Sequence, residues 1–134
     1  MEGTAIKAII ASIGGFISWV AGGIGWVFTI LLGLMLLDYL TGLMTGWVLK
    51  ELSSRKAATG FVKKLYIVIL IGAVYMVERT VLGSSGVVAD GVAIAYCVIE
   101  FLSIVENGGK MGAPLGPLGK VIAVLKAKQE DDVK

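Results

Sequence analysis

The reactive inventory of this 134-residue chain is ten carboxylates, twelve Lys or Arg side chains, one cysteine and no histidine. Without histidine, His-based acid–base catalysis and Cys/His nucleophile pairs are excluded, zinc sites of the usual kind are not expected, and Cys97 alone forms no intrachain disulfide. Neither an enzyme nor a bound cofactor or metal is expected. Two carboxylates stand out by position. Asp38 lies twelve residues after Trp26 and nine before Trp47 in an otherwise uncharged stretch. An acid at the centre of a bilayer-crossing helix costs about 2.5–3.5 kcal/mol to insert, so its presence marks a candidate functional group. At about 3.6 residues per turn, Thr41, Gly42, Thr45 and Gly46 share its face. Glu100 heads a similar face with Asp90, Cys97 and Ser103. These nine positions are the candidate pore-lining or helix-packing surface.

Each also has a plainer reading. Asp38 can serve only as a hydrogen-bonded packing contact, and Glu100 can reach headgroup water from a helix end. Cys97 reads first as a small packing residue, with an intersubunit disulfide as the lesser option. Gly42 and Gly46 form a GxxxG pair that is weak alone and gains weight beside Asp38.

The elements that must carry these groups are apolar. The chain is 57% hydrophobic, its mean hydropathy is +0.89, and the thirty residues from Ala8 to Leu37 carry no charge. No soluble core of this size hides such a run. The expected fold is an all-α integral membrane protein, a single unit over 1–134. Three transmembrane helices cover 26–49, 64–82 and 87–105, with a basic loop at 50–63 and a tail at 106–134. Lys50, Arg55, Lys56 and Lys63 place that loop in the cytoplasm by the positive-inside rule, and the tail follows it there with a short helix at Lys120–Lys128. Glu78 and Arg79, one turn before the outer Gly83–Gly86 turn, mark the interface or pair with other helices.

Residues 5–21, cut off by Gly22, Gly23 and Gly25, form an N-terminal amphipathic helix. Ile6, Ile9, Ile10, Ile13, Phe16, Ile17 and Val20 make its bulky side, and Gly14, Ser18 and Gly22 its small side. It either lies in the outer interface or is a fourth span packing its small side on a neighbour. A net charge of +2, scattered along the chain, argues against nucleic-acid binding. Polar faces on Asp38 and Glu100 can cover each other, or they can face sister copies in a ring that encloses water.

Two segments resemble the toxin-secretion/phage-lysis holin family. One is Asp38-Tyr39-Leu40-Thr41-Gly42, followed by Leu52-Ser53-Ser54, Gly60 and Lys63-Lys64. The other is Glu100-Phe101-Leu102-Ser103-Ile104-Val105-Glu106-Asn107, followed by Gly112 and Pro114. The resemblance runs from about Trp26 to Leu125 and adds Ser54, Gly60, Lys64, Glu106 and Asn107 as characteristic positions, without assigning each a role. One departure is visible: the family's P-x-P turn is here Pro114-Leu115-Gly116-Pro117, one residue longer. The resemblance implies a homo-oligomer of the bacterial inner membrane that opens lesions releasing a phage endolysin, with an antiholin as a further partner. The alternative is a non-conducting regulator or scaffold such as an antiholin; a small ion-coupled transporter is disfavoured because no inverted repeat is visible.

Overall fold

The computed structural model describes residues 2–133, and the side chains of those residues except 16–17 and 19–24. Five helices follow in order: α1 (Glu2–Ile24), α2 (Trp26–Val48), α3 (Ser54–Val77), α4 (Val87–Lys110) and α5 (Leu118–Val133), with one π-helical turn, Glu78–Leu82, continuing α3. Three segments, Trp26–Val48, Ser54–Leu82 and Val87–Lys110, are long and apolar enough to cross a membrane. At about 1.5 Å per residue even the shortest covers a hydrocarbon core of about 30 Å. The chain is an all-α membrane protein, with three candidate spans among the described residues.

Several boundaries differ from expectation, each for a local reason. Helix α1 runs through Gly22 and Gly23, and the break falls at Gly25, whose φ of 99° is in the region that favours glycine. Phe16, Ile17 and Val20 of the expected bulky side, and the small-side position Gly22, lie outside the described side chains. Ile6, Ile9, Ile10 and Ile13 are exposed, and a Cβ at Gly14 or Gly15 would meet nothing within 4 Å.

The expected basic loop at 50–63 is mostly helix. α2 ends in a Schellman turn, with Lys50 N–H bonded to the Trp47 carbonyl at 3.2 Å and Glu51 N–H to the Gly46 carbonyl at 2.8 Å. Lys50 takes the left-handed position at φ 58° that glycine usually fills. Leu52 then folds back over Gly46, where a Cβ would sit 3.3 Å from its Cδ1. The next residue, Ser53, is extended and caps α3, its hydroxyl accepting from Lys56 N–H and its carbonyl from Ala57 N–H. The third helix therefore starts at Ser54, ten residues before the expected Lys64, because a Ser cap followed by Arg, Lys and Ala favours helix where hydropathy alone sees a polar loop.

The fourth stretch likewise continues past Val105 to Lys110, so Glu106 and Asn107 are helical rather than part of the tail. Another Schellman turn, with Gly112 at φ 82°, ends it. α5 exceeds the expected 120–128 helix at both ends and keeps Glu130, Asp131 and Asp132 helical.

The core is small. Phe28, Leu31 and Met35 of α2 pack with Ile71 of α3 and Ala93 of α4, flanked by Leu32, Val68, Tyr96 and Cys97 among others. α2 and α4 share the most extensive contact. Around this seam the large apolar side chains point outward, including Ile30, Leu36, Leu37 and Met44 on α2, Phe61, Leu65 and Ile69 on α3, and Ile94 on α4. A belt of that size is what lipid covers and water does not.

Candidate functional site

The polar face of α2 turns into the bundle. Asp38 Oδ2 lies 2.8 Å from the Lys64 ammonium, and the same ammonium donates to Glu100 Oε2. One lysine of α3 thus joins carboxylates of α2 and α4. Side-chain exposure is 20% for Lys64, 11% for Asp38 and 5% for Glu100, so all three charges are largely removed from the surroundings. Burial of that kind is tolerable only with close partners.

The α2–α4 side of the cluster is completed by Asn107. Its amide donates to Asp38 Oδ1 at 3.0 Å and to Thr41 Oγ1 at 3.0 Å. Its carbonyl accepts from Thr45 Oγ1 at 3.2 Å. Thr41 Oγ1 donates back to the Asp38 carbonyl at 3.0 Å. Gly42 lies against this pair, where a Cβ would make ordinary van der Waals contact with the Asn107 amide nitrogen at 3.8 Å. Among the described residues no buried side-chain nitrogen or oxygen lacks a partner, the condition under which a polar layer strengthens a bundle instead of weakening it.

Tyr39 adds a second link between α2 and α3. Its hydroxyl donates to the Ala57 carbonyl at 3.3 Å, and its ring meets Phe61 edge-on with centroids 6.2 Å apart. A groove of about 550 Å³ reaches the cluster, lined by Glu51, Ser53 and Lys56 near the loop, by Gly42, Gly46 and Gly60 along its walls, and by Asp38, Lys64, Ser103 and Asn107. Charges thus stand at the end of a recess that opens among the basic residues.

Asp38, Thr41, Gly42, Thr45, Glu100 and Asn107 come together as one site, and Gly46, Gly60 and Ser103 line its approach. Asp90 is exposed near the start of α4, and Cys97 is half-buried against the apolar core. Ser54 is exposed, and the capping role falls to Ser53. Glu106 faces outward, 3.7 Å from Lys126 of α5, a solvent-side pair worth little. Of the two routes open to the acidic faces, mutual cover is the one taken within the single chain.

Sequence reasoning missed the role of Lys64, which it placed at the membrane edge. The missed signal was the Ser53 cap: counting from it puts Lys64 nearly three helical turns into the span, level with Asp38. Glu78, which the sequence reads as marking the interface or pairing with other helices, is 1% exposed. That carboxylate accepts from Ser84 Oγ and from the backbone N–H groups of Val88 and Ala89, both at 2.9 Å, and so caps α4 from the end of α3. An anion at a helix N-terminus satisfies free donors and complements the helix dipole. Tyr75 closes the turn, lying 3.0 Å from where a Cβ of Gly86 would be, with the Arg79 guanidinium 5.6 Å from its ring centre.

An all-α bundle with three bilayer-length helices, a lipid-facing apolar belt and one interhelical charge cluster defines a multi-pass membrane protein. The family model described as the bacteriophage holin family matches residues 15–127, and the chain belongs to that family. An uncharacterized protein of Halalkalibacterium halodurans is 30% identical over 130 residues, 92% of this chain and 96% of that one. An uncharacterized protein of Bacillus subtilis is 37% identical over 97 residues, 70% of this chain and 66% of its own length. A probable holin of Bacillus phage phi105 is 30% identical over 86 residues, 64% of this chain and 63% of that protein. No solved structure matches the chain.

Proposed function

We propose that this protein is a lesion-forming holin: it accumulates in the bacterial cytoplasmic membrane, self-associates, and opens holes through which an endolysin reaches the cell wall. The observation that carries the reading is the Asp38–Lys64–Glu100 cluster, a set of charges stored between three apolar helices long enough to cross a membrane. Family membership and the likeness to a phage protein named a probable holin support it. Self-association has an available surface in α1, where positions 14 and 15 are open to close approach by another helix. Basic residues Lys50, Arg55, Lys56 and Lys110 share one end of the bundle, which orients that end and the tail toward the cytoplasm.

Purified protein in dye-loaded liposomes tests this directly. Leakage is expected to rise steeply with the protein-to-lipid ratio, and inserted, helical protein that never releases dye counts against the reading. The fully paired state of both acids favours one second reading, a non-conducting regulator of a holin. Expression in a bacterial host separates the two: a lesion former halts growth and permeabilises the cell, whereas a regulator is tolerated.

A further inference from the structure

Helix α3 is held to the bundle unevenly. Its last turn is anchored, because Glu78 caps α4 and Tyr75 fits against Gly86. Ile71 is its one fully apolar buried side chain among the described residues, whereas α2 and α4 supply Phe28, Leu31, Met35, Ala89, Ala93, Leu102 and Val105. Positions 60 and 72 meet nothing within 4 Å. Nearer its start, α3 is held by Tyr39 and above all by Lys64. An apolar surface gives α3 no hydrophobic reason to prefer α2 and α4 over lipid; the ion pairs do. Removing Lys64 leaves Glu100 without its ammonium and Asp38 with the Asn107 amide alone, on adjoining faces of α2 and α4 where water is the main further source of compensation.

We infer that Lys64 is an internal latch: the closed protomer hides its acidic face under this one ammonium, and opening swings α3 about its Glu78 end to hand Asp38 and Glu100 to water. The inference rests on the lesion-forming reading for its biological purpose but concerns a movement that occurs within one chain. The arrangement is autoinhibitory, since the chain that would supply a wet face first satisfies that face itself. Assembly then becomes favourable only when neighbouring copies and water outbid Lys64.

The test uses full-length protein in liposomes, with Cys97→Ala and Ser103→Cys providing one thiol beside the cluster. Reactivity with a membrane-impermeant maleimide and dye release are measured for this background and after adding Lys64→Met or Asp38→Asn/Lys64→Met/Glu100→Gln. Lys64→Met is expected to raise thiol labelling and to leak at a protein-to-lipid ratio about tenfold lower, since breaking one side of a buried pair is strongly unfavourable. The triple variant, with nothing left to hydrate, is expected to label more slowly and leak later than the background. Lys64→Met labelling no faster than the background, while helical and inserted, overturns the latch. Should Lys64→Met fail to insert, the triple variant decides alone: labelling unchanged or faster than the background overturns it. Raised labelling without dye release from any protein keeps the latch and sinks the lesion reading instead.

Discussion

Asn107 and Glu78 show how a single polar residue earns its place in an apolar helix. Asn107 satisfies Asp38 and Thr41 with its amide and Thr45 with its backbone carbonyl. Asn107→Leu keeps the size but strips Asp38 of its second donor. Thermal unfolding in detergent should report a loss of about 1–3 kcal/mol, the cost of an unsatisfied buried acceptor. Glu78→Ala removes the acceptor for Val88 and Ala89 N–H at the start of α4, and a loss of about 1–2 kcal/mol is expected in the same assay. By contrast Lys126→Ala, which breaks only the exposed pair with Glu106, should move stability by less than about 0.5 kcal/mol. Asp38 and Glu100 were legible as costly groups from their neighbours in the chain. Their partner was not, because Lys64 is 36 residues from Glu100 and pairing across that separation leaves no local pattern.

At the scale of elements, the α2–α3 connection decides what Lys64 can reach. Ser53 caps α3 and Lys50 ends α2 in a left-handed conformation. Lengthening or loosening this connection would shift α3 along α2 by several ångströms for each turn lost. Ser53→Ala should therefore cost about 0.5–2 kcal/mol of stability and also raise labelling of the Ser103→Cys probe, because the first turns of α3 fray and Lys64 loses its register. A cap that mattered only for helix content would lower stability without changing the probe. The three spans were legible because runs of apolar side chains of about 20 residues have few other uses. Their ends were less so: hydropathy marks where lipid stops, whereas caps and Schellman turns mark where helix stops, and in α3 and α4 the helix outruns the apolar stretch.

For the whole molecule, the distribution of charge sets orientation. Three spans joined by tight turns bring Lys50, Lys56 and Lys110 to one end, and the Gly83–Gly86 turn to the other. Trypsin added to inside-out vesicles is expected to cut α5 at Lys120, Lys126 or Lys128, while right-side-out vesicles protect it; the reverse pattern would invert the proposed topology. A bundle with so few buried apolar side chains holds its shape through polar contacts and the bilayer, and under the proposed latch this is what lets assembly compete with the closed form. Composition by itself established that this chain lives in a membrane, roughly where it crosses, and that two acids sit at a depth where they need company, since hydropathy and insertion cost are properties of short stretches. Which residue keeps them company was decided only by the tertiary structure: a cap and a turn set the depth of Lys64, and Coulomb attraction in an apolar medium acts across space between residues far apart in the chain.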